Sequence, residues 1–180
     1  AVSAQQSADN PLSRAHSHND YMQAAPFTLA YQQQFGSVEA DVHFRNDTLF
    51  VAHDAHDISA DRTFEKLYLQ QILKQVDQNQ GSIYKDKSRV MTLLVDLKTT
   101  YKTTLPALVK ALAPHEALLA PKGSVKVVLS GNTPPPAEFD EYPGYLYFDG
   151  RPGVAYTAAQ AARLGMISQD FHRYSQWNGK

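Results

Sequence analysis

Residues 37–44 read SVEADVHF and residues 90–98 read VMTLLVDLK, and these two stretches decide the fold that the sequence predicts. In both of these short stretches, every second side chain is apolar, and the positions between them hold most of the polar groups. Successive side chains of a strand point to opposite faces of a sheet, so each stretch predicts a strand with one apolar face. The opposite faces carry the polar groups, which are Ser37, Glu39, Asp41 and His43 in the first strand and Thr92, Asp96 and Lys98 in the second.

The rest of the chain alternates between short apolar runs and stretches with helical periodicity. Strands are predicted at residues 14–18, 37–44, 48–54, 90–98, 125–130, 145–149 and 166–171. Helices are predicted at residues 26–35, 63–80, 105–112 and 157–164, with Gly36 and Gly165 ending the first and the last of them. This alternation of strands and helices is typical of an α/β fold with a parallel sheet.

Seven predicted strands indicate a (β/α)8 TIM-type barrel that is incomplete at the C-terminus, because a complete barrel needs eight strands and about 250 residues. An open α/β sheet is the alternative. The barrel domain is predicted to cover residues 14–180. Residues 1–13, AVSAQQSADNPLS, are polar and lack periodicity, which indicates a flexible lead-in. A cleaved signal peptide leaves such a lead-in, so a periplasmic or secreted protein is expected, although a trimmed chain has the same pattern.

The composition of the 180 residues excludes several classes of protein. A hydrophobic content of 43% with 19% charged residues is typical of a globular domain rather than a disordered one. The net charge of −1 provides no field that would attract a polyanion, so nucleic acid is not an expected partner. No apolar run approaches the roughly 20 residues of a transmembrane segment. The absence of cysteine excludes disulfides, thiolate metal sites and a cysteine nucleophile.

Acidic, basic and imidazole groups stand near the ends of successive predicted strands. They are His16, His18 and Asp20, then Glu39 and Asp41, then His53 and Asp54, and finally Asp96 and Lys98. Each pattern alone is common on exposed edges and turns, where an ion pair contributes little. Parallel strands, however, gather their C-terminal ends at one mouth of a barrel, where active sites lie. Two carboxylates on one strand, a third on another and a neighbouring lysine can hold a divalent cation through oxygen ligands.

Four of these segments together resemble a known group of enzymes. HNDY at residues 18–21, VEADV at 38–42, VAHD at 51–54 and VDLK at 95–98 resemble the phosphatidylinositol phospholipase C-like phosphodiesterase superfamily. That superfamily includes glycerophosphodiester phosphodiesterases and the sphingomyelinase D enzymes. The branch with the greatest similarity is that of the "HSHNDY" phosphodiesterase-like proteins of bacteria and fungi. The resemblance runs from about residue 14 to the end of the chain.

The resemblance implies a role for each matching residue. Glu39, Asp41 and Asp96 match metal ligands, and hard oxygen ligands suit one divalent cation, Mg²⁺ or Ca²⁺. Lys98 matches a lysine that contacts the substrate phosphate. Arg151, which follows the strand predicted at residues 145–149, is a further candidate for binding a phosphate or carboxylate of the substrate.

Two histidines are expected to act as the acid and base. His53 matches the second catalytic histidine, and Asp54 either orients it or caps the following turn. The first falls on His18 or His16. Both have the same parity on the predicted strand, and His18 is nearer the C-terminal end. We therefore expect His18 to be catalytic and His16 to be buried below it, holding hydrogen bonds.

The implied reaction is hydrolysis of a small-molecule or lipid phosphodiester. Within this superfamily the attacking hydroxyl usually belongs to the substrate, which gives a cyclic phosphate that water then opens. The His-Arg-Gly start and the following Glu-Asn-Thr element of glycerophosphodiesterases are absent here, where residues 16–20 read HSHND. Specificity for glycerophosphodiesters is therefore not implied, and the oligomeric state is not predicted.

Two other functions remain open from the residues. A His-x-His at the end of a first barrel strand, as at His16 and His18, holds paired transition metals in amidohydrolases and some phosphoesterases. Those enzymes need further histidines at later strand ends, where this chain has Asp96, Ser130, Asp149 and Asp170. The other possibility is a module that binds phosphate or a lipid headgroup without turnover.

Overall fold

The computed structural model of the chain describes residues 11–170 and 175–177. Within these ranges the fold is α/β, and its seven strands form one sheet that curls into a half-barrel. The strands are β1 (His16–Ser17), β2 (Ser37–Arg45), β3 (Thr48–Val51), β4 (Met91–Leu97), β5 (Val125–Gly131), β6 (Leu146–Gly150) and β7 (Leu164–Ile167). Their order is β1-β2-β4-β5-β6-β7, every neighbouring pair in this order is parallel, and β3 pairs with β2 from outside it.

Helices connect the parallel strands. They are α1 (Thr28–Gln32), α2 (Gln70–Gln78), α3 (Tyr101–Leu112) and α4 (Ala158–Ala162). A π-helical turn, Glu65–Leu69, leads directly into α2, and the Oγ1 of Thr63 accepts a hydrogen bond from the Lys66 N–H at its start. Short 3-10 helices lie at Pro11–Arg14, Asp20–Met22, Ala55–Asp57, Ala113–Leu118 and Pro136–Glu141. None of the helices in the described ranges has the length and apolarity needed to cross a bilayer.

The apolar face of the sheet packs against the helices and forms the core. The alternation predicted for residues 37–44 and 90–98 is confirmed, because their apolar side chains belong to one buried cluster with α2 and α3. That cluster includes Val38, Ala40, Val42, Leu93, Val95, Leu97, Ile72, Leu105 and Leu108. The opposite face of the same strands carries Glu39, Asp41 and Asp96, so the core and the polar groups are separated by one sheet.

β3 does not extend the parallel sheet. The sequence predicts residues 48–54 as one of the seven strands of a parallel barrel, but β3 is a four-residue strand that runs antiparallel to β2. Asn46 and Asp47 join the two strands, and both have positive φ, 49° and 57°, as a two-residue type I′ hairpin requires. The described sheet therefore has six parallel strands rather than seven.

The β2–β3 hairpin determines where the following residues lie. β2 continues beyond the end of β4, because Val42 pairs with Leu97, the last residue of β4. β3 then returns along β2, and the Ala52 N–H donates to the main-chain oxygen of Asp41 at 3.2 Å. Residues 53–54 thus come back to the level of Asp41, although β3 does not extend the parallel sheet.

Two predicted helix stops have other causes. α1 ends at Gln32, four residues before Gly36, and a Cβ at Gly36 would lie 1.9 Å from the main-chain oxygen of Ser13. Gly165 lies inside β7, where a Cβ would lie 2.5 Å from Val128 Cγ2. Both glycines are therefore required by close packing between chain segments. β7 begins two residues earlier than predicted, and residue 171 of the predicted strand lies outside the described ranges.

The predicted lead-in, residues 1–13, lies mostly outside the described ranges. Its last residues belong to the 3-10 helix Pro11–Arg14, and the Leu12 oxygen accepts hydrogen bonds from the N–H groups of Ala15 and Gly36. The described part of the predicted lead-in is thus attached to the start of β2.

Candidate functional site

Three carboxylates meet on the polar face of the sheet. Glu39 and Asp41 lie two residues apart on β2, and Asp96 on β4 pairs directly with Asp41 in the parallel register. Same-face side chains of paired residues are neighbours, so the local alternation of each strand brings the carboxylates together. One oxygen from each of the three lies within 4.8 Å of the others. Glu39 and Asp41 are buried, and the Asp41 side chain is 1% exposed.

Lys98 compensates part of this negative charge. Its Nζ lies 2.9 Å from Asp41 Oδ2 and 3.4 Å from Asp96 Oδ1. Burial lowers the pKa of the Lys98 ammonium, but the hydrogen bond to Asp41 and the charge of Asp96 raise it above its usual value. Burial raises the pKa of the Asp96 carboxyl; Lys98 lowers it and the charge of Asp41 raises it, so the net pKa lies above its usual value.

Glu39 is held from the other side by the segment that follows β1. Its Oε2 lies 3.1 Å from His16 Nε2 and 3.8 Å from His18 Nε2, and it accepts a hydrogen bond from the Asn19 N–H at 3.3 Å. Burial raises the pKa of the Glu39 carboxyl, but the His16 hydrogen bond, the His18 charge and the Asn19 N–H bring it below its usual value. Glu39 therefore favours the ionised form.

The two histidines of HSHND differ in how they are held. His16 Nε2 donates to Glu39, since a carboxylate only accepts, and His16 Nδ1 is hydrogen-bonded to Ser37 Oγ at 2.9 Å. The expected burial of His16 is wrong, because its side chain is 33% exposed. The physical reason is that β1 lies at an edge of the described sheet and pairs only with β2. His18 is 73% exposed, and its ring lies 6.4 Å from that of His16.

His53 lies after β3 and contacts other partners than the carboxylates. Its Nδ1 is 3.4 Å from Asp54 Oδ2, and its main-chain oxygen is 3.3 Å from His43 Nε2. Asp54 precedes a 3-10 helix, but its side chain makes no capping hydrogen bond there. The carboxylate of Asp54 contacts His53 instead. Within the described ranges, no hydrogen bond or ion pair joins the His53 ring to Glu39, Asp41 or Asp96.

Arg151 belongs to a second polar cluster at the end of β6. Its Nη1 lies 2.5 Å from Asp149 Oδ2 and 3.1 Å from Ser168 Oγ. The Asp149 side chain is 2% exposed and also accepts hydrogen bonds from Ser130 Oγ and from the N–H and Oγ of Ser168. Ser130 pairs with Asp96 in the sheet. Arg151 is thus separated from the three carboxylates by the width of β5.

Sequence reasoning assigned no role to the buried groups that support the site. The Tyr21 hydroxyl donates to Asp41 Oδ2 at 2.7 Å. Burial, the hydrogen bond to Asp41 and nearby carboxylates raise the pKa of that hydroxyl, so it keeps its proton. Asp20 is fully buried and accepts hydrogen bonds from Ser17 Oγ, the Phe27 N–H and the Tyr68 hydroxyl. The Tyr68 hydroxyl also lies 3.0 Å from the main-chain oxygen of Glu39.

The segment 18–21 could have drawn attention to two of these groups, since Asp20 and Tyr21 belong to it. No sequence signal marks the hydroxyl of Tyr68, because its position on the buried face of a helix is typical of any core aromatic residue. Gly131 is a second example. It lies close to Asp96 in space, but the residues next to Gly131 in sequence do not indicate this contact.

The carboxylates fit a divalent cation. Asp41 Oδ1 is buried and has no hydrogen-bond partner in the described ranges, although its other oxygen has two. A buried carboxylate oxygen without a partner is unfavourable unless a cation or a donor meets it. The donor set consists only of oxygens, which suits Mg²⁺ or Ca²⁺. A second group of possible ligands, Asp54, His56 and Asp57, is exposed.

Comparisons with curated proteins find relatives that match about two thirds of this chain. The chain is 30% identical over 147 residues to altered inheritance of mitochondria protein 6 homolog of Arthroderma benhamiae, covering 66% of this chain and 47% of that protein. It is 28% identical over 161 residues to altered inheritance of mitochondria protein 6 of Kluyveromyces lactis, covering 68% of this chain and 38% of that protein. The chain thus spans less than half the length of these curated relatives.

No solved structure matches the chain. Residues 8–136 match the family description of the AIM6-like phosphodiesterase domain. This match covers well over half of the 180 residues and includes Glu39, Asp41, His53, Asp96 and Lys98. The chain therefore belongs to the family of AIM6-like phosphodiesterase domains.

Proposed function

We propose that the chain is a metal-dependent phosphodiester hydrolase that acts on a glycerophosphodiester- or phospholipid-type substrate. The observation that carries this proposal is the convergence of three carboxylates, one of which, Asp41, has a buried oxygen without a hydrogen-bond partner among the described residues. The family match supports phosphodiesterase chemistry at a coarse level. The substrate type, the cation and the catalytic residues are our proposal. In the same proposal, the six parallel strands of the described half-barrel are part of a TIM-type barrel.

Glu39, Asp41 and Asp96 would hold one Mg²⁺ or Ca²⁺. When bound, the cation neutralises phosphoryl oxygens and so lowers the energy of a negatively charged transition state. Lys98 contributes a second positive charge at the same place, since its raised pKa keeps it protonated. Arg151 lies two strands further along the sheet and would bind a polar or anionic part of the substrate beyond the scissile phosphate.

His18 and His53 would carry the protons, because imidazole changes its charge near neutral pH. One accepts the proton of a substrate hydroxyl as its oxygen forms a bond to phosphorus. The other donates a proton to the leaving oxygen as the phosphorus–oxygen bond breaks, and a cyclic phosphate results. Both rings are more than half exposed, so both can reach a bound substrate. The contact with Asp54 would orient His53, and that with Glu39 holds His18 near the carboxylates.

The role of His16 in this proposal is support. Both of its ring nitrogens are engaged, by Ser37 and by Glu39, so neither is free to transfer a proton or to bind a transition metal. A binuclear site on His16 and His18 is therefore less favoured by the geometry than a single cation on three carboxylates. A periplasmic or secreted location stays a prediction from the sequence.

The test is turnover of a panel of phosphodiesters with Mg²⁺, with Ca²⁺ and with a chelator. The panel contains bis-p-nitrophenyl phosphate, glycerophosphodiesters, lysolipids and phosphoinositides. We expect His18→Ala and His53→Ala each to lose about 10²- to 10⁴-fold in rate while ion binding persists. His115→Ala is the matched control, because His115 follows the C-terminal end of α3, away from the carboxylates. Binding of these compounds without turnover by the unaltered protein would instead favour a non-catalytic module.

A further inference from the structure

The two oxygens of Asp41 have different surroundings. Oδ2 accepts a hydrogen bond from the Tyr21 hydroxyl at 2.7 Å and lies 2.9 Å from Lys98 Nζ. Oδ1 is buried and has no hydrogen-bond partner among the described residues. The lone pairs of Oδ2 are therefore largely occupied by hydrogen bonds, whereas those of Oδ1 are available to a ligand.

The position of Tyr21 is fixed by burial of its side chain and by contacts of its main chain. The side chain is buried, and the main-chain oxygen of Tyr21 accepts a hydrogen bond from Arg62 Nη2. Tyr21 lies in the 3-10 helix Asp20–Met22, which begins after Asn19 in a left-handed conformation. The buried carboxylate of Asp20 anchors the start of that helix. The surrounding fold therefore restricts the side-chain conformation of Tyr21 and directs its hydroxyl toward Asp41.

The single proton of the Tyr21 hydroxyl has two acceptors within reach. Asn19 Oδ1 lies 3.1 Å away and Asp41 Oδ2 lies 2.7 Å away. The carboxylate is both closer and charged, so the proton lies toward Asp41. The Asn19 N–H, two residues earlier, donates to Glu39. One short segment after β1 therefore contacts two of the three carboxylates.

We infer that Tyr21 is a positioning residue for the cation site: together with Lys98 it occupies Asp41 Oδ2, so that Oδ1 alone faces the cation as a one-oxygen ligand. This inference rests on the proposed cation and goes beyond it, because it assigns a role to a side chain that is not a ligand. Groups that hydrogen-bond a metal ligand fix its orientation, and losing one typically weakens metal affinity by about 10- to 100-fold.

The experiment compares Tyr21→Phe with the unaltered protein by titration calorimetry, using Mg²⁺ alone and Ca²⁺ alone. The expected result is a Kd raised by about tenfold or more, because the Asp41 carboxylate can then rotate. Tyr31→Phe is the matched control. The Tyr31 hydroxyl accepts a hydrogen bond from Asn79 Nδ2, and the Tyr31 ring stacks between Phe27 and Tyr84. Neither contact involves a carboxylate of the site, so Tyr31→Phe should leave the Kd for the ion unchanged.

Melting in the presence of a chelator shows whether each variant is folded before ion is added, and a purely structural role would lower that melting temperature without changing the Kd. Equal Kd values for Tyr21→Phe and the unaltered protein overturn the inference and leave the proposed function standing. An unaltered protein that binds neither ion overturns both. If Tyr21→Phe does not fold, Tyr21→Met removes the hydroxyl while keeping an apolar side chain at this buried position, and an unchanged Kd there overturns the inference.

Discussion

Asp96 reaches the carboxylate group because a residue beside it on β5 has no side chain. Gly131 pairs with Leu97, next to Asp96, and a Cβ on Gly131 would lie 2.3 Å from Asp96 Oδ1 and 2.7 Å from the Leu97 oxygen. Gly131 also has a φ of +72°, which L side chains adopt only with strain. A single residue outside the acidic group thus determines both the bend at the end of β5 and the space for a proposed ligand.

We predict that Gly131→Ala lowers both the stability and the affinity for Mg²⁺ or Ca²⁺. The positive φ alone costs about 1 kcal/mol in the free energy of unfolding, and the new methyl group must displace Asp96. Gly81→Ala is the matched control, since Gly81 has a φ of +93° and nothing within 4 Å of its Cβ position. Urea unfolding and calorimetric titration measure the two effects. Equal ion affinities in the two variants would contradict the role given to Gly131.

At the scale of elements, the β2–β3 hairpin brings His53 toward the site. The turn has only two residues, so the chain reverses at once and β3 retraces β2 as far as Val42, which pairs with Val51. Asn is favoured at the first position of a type I′ turn and Gly at the second, where this chain has Asp47. Asp47 therefore adopts a positive φ that a glycine would adopt without strain.

We predict that Asp47→Gly raises the free energy of unfolding by about 0.5 kcal/mol and that Asp47→Ala lowers it by about 1 kcal/mol. The two substitutions remove the same carboxylate, so opposite signs isolate the backbone conformation as the cause. Denaturant unfolding of both variants gives the measurement. A loss of similar size in both variants would show that the carboxylate, rather than the turn conformation, is what matters at this position.

At the scale of the whole molecule, we expect folding to be linked to binding of the proposed cation. The fold brings Asp96 next to Glu39 and Asp41, from which it is more than 50 residues away along the chain. Burial and the neighbouring carboxylate charges both disfavour the ionised form of Asp96, and its pKa is raised first by burial and then by the charges of Asp41 and Glu39, although Lys98 lowers it. A cation that binds the folded chain and not the unfolded one stabilises the fold by mass action.

We predict that Mg²⁺ or Ca²⁺ at about 100 times its Kd stabilises the protein by about 2.7 kcal/mol. For a chain of this length that corresponds to a rise in Tm of about 5–10 °C, measured by scanning calorimetry against a chelator. Asp41→Asn should abolish the rise. Asp140→Asn should keep it, because Asp140 is an exposed carboxylate that pairs with Arg163. The same rise in Asp41→Asn as in the unaltered protein would rule out the three carboxylates as the site.

The tertiary structure supplied the details that local pattern could not contain. The Tyr21 hydroxyl, the Gly131 backbone and the unpartnered Asp41 oxygen all depend on segments that are 20 or more residues apart in sequence. The exposure of His16 depends on which strand lies beside β1 and which side of β1 has no neighbour. The direction of β3 does have a local signal, because the two-residue turn Asn46–Asp47 is too short to join two parallel strands.

The sequence by itself determined which residues form the main strands and which face of each strand is polar. It could do so because the period of two along a strand is a local property: Val38, Ala40 and Val42 turn to the core wherever β2 is placed. Only the tertiary structure decided that β2 pairs with β4 so that Asp41 meets Asp96. Strand order and register depend on contacts between segments that are distant in sequence. These contacts contribute to stability only when the segments pack together, so no local pattern encodes them.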